Sequence, residues 1–152
     1  MAIHKHRRAR RSGAAAVETA LVMLPFLVFV FGVFEYGRLL MVWNVVDNAA
    51  RTGCRYALVN NTSATIATDV TTQVTNTMAG LNTTAFSSFS VTVSGTHAGT
   101  AYTGSGVNNL VAGDLITVTV TGTYQFMNVI PGITMPKLTI TSAPTMVCEG
   151  AT

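Results

Sequence analysis

Gly13-Ala14-Ala15-Ala16-Val17-Glu18-Thr19-Ala20-Leu21-Val22-Met23-Leu24-Pro25 is the stretch whose reading decides the fold. It opens an apolar run over 14–34 in which Glu18 is the one charge. As a helix this run spans roughly 30 Å, the thickness of a bilayer core. Pro25 and Gly32 interrupt it, and membrane helices tolerate both residue types. Tyr36 and Trp43 follow, aromatic residues suited to the far membrane interface.

Upstream, residues 1–13 hold Lys5, Arg7, Arg8, Arg10 and Arg11 and no acid. The chain as a whole carries a formal charge of +3 from 9 basic and 6 acidic residues. Everything beyond 13 is therefore net acidic, and the basic balance belongs to the N-terminal tail. A basic tail beside an apolar run is an orientation signal, with the basic side held in the cytoplasm. Nucleic-acid binding wants basic residues spread over a folded surface, so it is not expected. A cleaved secretory signal wants a small-x-small site after its core. Here the run ends in Phe34-Glu35-Tyr36-Gly37-Arg38, and Cys54 is too distant for lipoprotein processing. The expectation is a single-pass chain in the inner (cytoplasmic) membrane, N-terminus cytoplasmic and the remainder extracytoplasmic.

Downstream, the helix pattern continues and becomes amphipathic. Val42, Val45, Val46, Ala49, Gly53, Tyr56 and Ala57 recur at spacings of three and four. Asn44, Asp47, Asn48, Arg51 and Arg55 fill the opposite face, with Asp47 and Arg51 in the favourable i,i+4 order. An unbroken helix over 14–59 would be roughly 70 Å long and must lay its emergent apolar stripe on something.

Residues 60–152 are rich in Thr, Ser, Asn and Gly. Ser63 or Thr62 can cap a second helix whose face is Ile66, Val70, Val74, Met78 and Leu81. Beyond Phe86 the period falls to two. Phe89, Val91 and Val93 make one strand, and Ile116, Val118, Val120, Tyr124 and Phe126 alternate with hydroxyls in a second. Leu138, Ile140 and 145–148 offer a third. The Gly-rich span 95–113 separates the first two. One apolar and one hydroxyl face is the pattern of an antiparallel sheet wet on one side. Charged residues are only 10% and hydrophobic residues 49%, against about a quarter charged in a typical soluble domain. A membrane segment joined to an unusually neutral ectodomain accounts for that deficit.

The expected class is α+β. A long N-terminal transmembrane and amphipathic helix leads, then a short second helix, with a small antiparallel β-sheet packed on the outer half. The expected organisation is a basic tail at 1–13, a transmembrane helix at 14–40, an amphipathic extension at 41–59 and an extracytoplasmic domain at 60–152.

Glu18 is the costly residue. A carboxylate at a bilayer centre costs about 2.5–3.5 kcal/mol, and less near the edge. Either Glu18 lies near enough to the interface to reach water, or it meets a counter-charge. A cut after Gly13 would supply one, since Ala14 would then expose an amine and Glu18 would become the fifth residue. Such a pairing would offset desolvation and set the register between neighbouring helices.

A short basic leader, Gly13 at the cut and Glu18 five residues on resemble a prepilin of the type IV pilus superfamily. The run Gly13 to Pro25, then Glu35-Tyr36-Gly37-Arg38, then Asn48-Ala49-Ala50-Arg51-Thr52-Gly53-Cys54-Arg55-Tyr56-Ala57, resembles the TadE-like family, minor pseudopilins of the tight-adherence (Flp pilus) system. Gly113-Asp114-Leu115-Ile116-Thr117-Val118-Thr119-Val120 and Met146-Val147-Cys148-Glu149 are similar to the family's later strands. Thr19 stands where the family often has an aromatic residue, and Cys54 where Ala is common. The resemblance implies processing between Gly13 and Ala14, Glu18 as an assembly determinant, and assembly or initiation of a Tad/Flp pilus or secretion apparatus. Implied partners are prepilin peptidase, other pilin-like subunits, the inner-membrane assembly platform and the lipid bilayer.

The competing reading is a single-pass anchor presenting a small extracytoplasmic binding or adhesion domain. An enzyme is not expected: Asp69 and Asp114 are isolated, and no Ser/His/Asp grouping stands out. His4, His6 and His97 lack ligand spacing, so no metal or cofactor is expected. Glu35 and Arg38, one turn apart, read equally as a solvated pair or as an inter-subunit contact. Cys54 and Cys148 are the 2 cysteines, both expected in an oxidising compartment. A bridge between them is expected, worth roughly 4–5 kcal/mol by loop entropy. The alternative is two buried small apolar side chains.

Overall fold

The structure, a computed structural model, describes residues 11–107, 110–127 and 135–149. Most of the basic tail lies outside the described residues. The described chain divides between Gly37 and Arg38 into two compact units.

The helix α1 runs Arg11–Val59, 49 residues, with Pro25 inside it. In the first unit its side chains from Gly13 onward are exposed, save the half-exposed Val30 and Glu35. Leu21, Phe29 and Phe34 are 73%, 69% and 72% exposed. An apolar helix exposed on every side is stable only where lipid or other helices replace water. The most apolar 18-residue window of the helix has a mean hydropathy of 2.3, and none of it is buried. By length and composition it can cross a membrane.

The second unit begins within the same helix. Val42, Val46, Ala49, Ala50, Gly53, Cys54 and Ala57 are buried, while Asn44, Asn48, Arg51 and Arg55 are exposed. The emergent stripe is thus covered, and its cover is the rest of the chain. A Cβ placed on Gly53 would stand 2.7 Å from Val74 Cγ2 and 3.3 Å from Val118 Cγ1. The absence of a side chain at 53 is what lets this helix approach α2 and the sheet.

Helix α2 spans Ile66–Thr77 and buries Ile66, Val70 and Val74. Ser63 and Thr65 hydroxyls both donate to Asp69 Oδ2, at 3.3 and 2.8 Å, which fastens the start of the helix. A single turn, α3, follows at Leu81–Thr84.

Among the described residues five strands form one antiparallel sheet: β1 Phe86–His97, β2 Thr100–Thr103, β3 Leu115–Tyr124, β4 Leu138–Ser142 and β5 Thr145–Val147. The order is β2-β1-β3-β4, with β5 also paired to β3. The strand expected over 138–148 is therefore two short strands on one side of β3. Pro144 lies between them; it has no N–H to give to the ladder. The Gly-rich span holds β2, which periodicity did not signal because all four of its residues are exposed. Along β3, Ile116, Val118, Val120, Gly122 and Tyr124 are buried and the residues between them are not. Ser88, Ser90, Thr92 and Ser94 stand opposite Thr123, Thr121, Thr119 and Thr117 on the wet face. The α+β expectation and the one-sided sheet both hold.

Candidate functional site

The first turns of α1 carry the residues singled out for processing and assembly. The described part of α1 starts at Arg11, so Gly13 and Ala14 lie within helix. Gly13, Ala14 and Glu18 are all exposed.

Glu18 and its neighbour Thr19 meet the apolar environment differently. Thr19 Oγ1 donates to the Ala15 carbonyl at 2.8 Å, so its polar group is satisfied within the helix. Glu18 makes no hydrogen bond or ion pair among the described residues. Its carboxylate is available to a group supplied from outside.

Further along, α1 is clamped to the sheet by polar contacts. Ser142 Oγ donates to Asp47 Oδ1 at 2.8 Å, and Arg51 Nε donates to Asp47 Oδ2 at 2.9 Å. The i,i+4 pair read from sequence is present, and its carboxylate also holds β4. The Arg38 guanidinium lies 5.3 Å from the centre of the Tyr124 ring, within cation–π range.

Cys54 and Cys148 are both buried and both free. The bridge expected between them is not formed in this structure. Cys54 Sγ is directed at the Pro144 carbonyl, 3.0 Å away, and the Cys148 amide donates to the Asp114 carbonyl at 2.7 Å. Burial, and then the negative charge of Asp114, push the Cys148 thiol up, which makes it a poor nucleophile. Alkylation of the native, unreduced protein is expected to label neither cysteine. After denaturation without reductant it is expected to label both. Two labels missing from the denatured protein, read by mass spectrometry, would establish the bridge instead.

Sequence reading treated His97 and Asp114 as isolated, yet the fold joins them. His97 Nδ1 lies 2.7 Å from Asp114 Oδ2, and the Val111 amide donates to the same oxygen at 2.7 Å. The turn at Gly113, with φ of 93°, brings the carboxylate back toward the end of β1; that glycine was the signal available in the sequence. Burial acts to raise the Asp114 carboxyl, but the Val111 amide and His97 outweigh it and hold it below the ordinary range. A carboxylate lowered in this way contributes stability above the ordinary carboxylate range. That contribution is lost as pH falls through the lowered folded value. The domain is therefore expected to melt at lower temperature on acidification below the ordinary 3.8. Thermal melts of Asp114→Asn should show a shallower acid limb and a lower melting temperature at neutral pH.

Among the described residues no group of three or more His, Cys, Asp or Glu side chains could hold a metal ion. What the arrangement offers is a long exposed apolar helix whose Glu18 carboxylate has no partner among the described residues, leading into a closed α+β domain. By length and composition that helix is one that can cross a membrane. The family model described as TadE-like protein matches residues 13–55. It is the family the sequence resembles, and the matched stretch lies within the long helix. Comparison with curated proteins and with solved structures finds no match.

Proposed function

We propose that this chain is a minor pilin-like subunit that assembles or initiates a Tad/Flp-type pilus or secretion apparatus, with no catalysis of its own. The observation that carries the reading is Glu18. It is the one carboxylate in the apolar run 14–34, it has no partner among the described residues, and it lies in the TadE-like match. A neighbouring helix that ends in an amine would complete it.

In this reading prepilin peptidase cuts after Gly13, on the cytoplasmic side, and Ala14 becomes the first residue. The domain beyond Val59 faces away from the cytoplasm. Other pilin-like subunits and the inner-membrane assembly platform are the partners, and the subunit enters adhesion or secretion through them. The test is the mature N-terminus. Peptide mass spectrometry of the membrane-fraction protein should find Ala14 first, and a Gly13→Leu chain should retain its basic leader. An intact leader on the wild-type chain in cells with active prepilin peptidase would falsify the processing step. It would leave a plain membrane anchor.

A further inference from the structure

The two edges of the sheet differ. β3 pairs along one side of β1 from Phe86 to Thr96, with a bulge between Phe86 and Ser88. β2 occupies the other side only from Ser94 to His97. Over 88–93 that second side has no backbone partner among the described residues. Such an edge presents a row of N–H and C=O groups with which another strand can pair.

Nothing in the segment guards it. Ser88-Phe89-Ser90-Val91-Thr92-Val93 contains no charge and no proline, the devices that usually blunt an edge. The opposite edge is guarded. β4 and β5 are 5 and 3 residues long, and Ala143-Pro144 divides them. Phe89 and Val91 are only half-buried against the core, so their remaining surface is open to an added strand.

The polarity of the segment reads the same in both directions. Antiparallel self-pairing centred on Ser90 sets Phe89 against the other copy's Val91 and Ser88 against its Thr92. Aromatic against β-branched and hydroxyl against hydroxyl are favourable cross-strand pairs, and no like charges meet. We propose that a second copy of this chain pairs antiparallel with residues 88–92 of β1, so that one sheet continues through both copies. The inference rests on the sheet alone and is independent of the pilus reading.

The test uses the full chain in a mild non-ionic detergent, with mass followed by sedimentation over a range of concentrations. The wild type is expected to form a dimer. Ser90→Lys, which places two lysines opposite each other, is expected to weaken that dimer by more than about tenfold. An equimolar mixture of Ser90→Lys and Ser90→Glu chains is expected to restore it. Thr139→Lys, on the exposed face of β4, is expected to dimerise like the wild type. A wild type that stays monomeric throughout overturns the proposal. So does a Ser90→Lys dimer as tight as the wild type, since the contact would then lie elsewhere, as in α1.

Discussion

On the proposed pilin-like reading, Glu18→Gln is expected to insert into the membrane at least as well as the wild-type chain and yet to lose association with other pilin-like subunits. Insertion improves because a charge leaves the apolar run, and charge in a bilayer is what insertion penalises. Assembly fails because the carboxylate is the one group there that seeks a partner from outside: Thr19 is already bonded to Ala15, and the surrounding side chains are apolar. After a cut at Gly13 the new amine at Ala14 and the Glu18 carboxylate share a helix face, so pairing within one chain competes with pairing between chains. An exchange between neighbours fixes their axial register, which glutamine cannot do with comparable strength. Removing one member of a desolvated pair leaves the other unpaired, so recovery of partner pilins should fall by more than about tenfold. Surface pili should fall with it at matched protein level. Unchanged recovery and unchanged piliation would show Glu18 to be an interfacial carboxylate that the membrane tolerates, and the register argument would go.

Gly53→Val is expected to cost the domain about 3 kcal/mol or more, at the upper end of what overpacking a filled core costs. The Cβ alone would stand 2.7 Å from Val74 Cγ2, 3.3 Å from Val118 Cγ1 and 3.4 Å from Val70 Cγ1. Val70, Val74 and Val118 are all fully buried and short, so none can swing aside. In a melt of the detergent-solubilised chain the loss should read as a fall of about 10 °C or more. Gly53→Ala should lose less, because alanine recovers about 1 kcal/mol of helix propensity. Val74→Ala is destabilising by itself, but it should recover part of the Gly53→Val loss, a coupling that a double-mutant cycle measures. A Gly53→Val chain that melts like the wild type would mean that α1 does not pack on α2 and β3 at this point.

The long helix, its amphipathic switch and the one-sided sheet were legible because each leaves a period in the sequence. Val42, Val46, Ala49, Gly53 and Ala57 repeat with the helical turn, and the alternation of Ile116 to Tyr124 repeats with the pleat. β2 was not legible because an edge strand exposed on both faces need not alternate. The division of β4 from β5 was visible only as Pro144, which reads as a turn or a strand break until its neighbours are placed. The pairing of His97 with Asp114 left no period at all: two residues 17 apart meet because β1 and β3 are neighbours and Gly113 turns the chain.

By itself the sequence determined what water forces upon each segment. A run of apolar residues as long as 14–34 reads as a helix able to cross a bilayer, and alternating strands bury one face. These outcomes depend on local composition and period, which a linear chain carries in full. Tertiary structure alone decided which surfaces meet. The fit of Gly53 against Val74 and Val118, the clasp of Ser142 on Asp47, the direction of the Cys54 thiol toward Pro144 and the open side of β1 follow from contacts between residues distant in the chain. Such contacts are selected by shape and by the satisfaction of individual polar groups, and neither quantity exists until the elements are assembled.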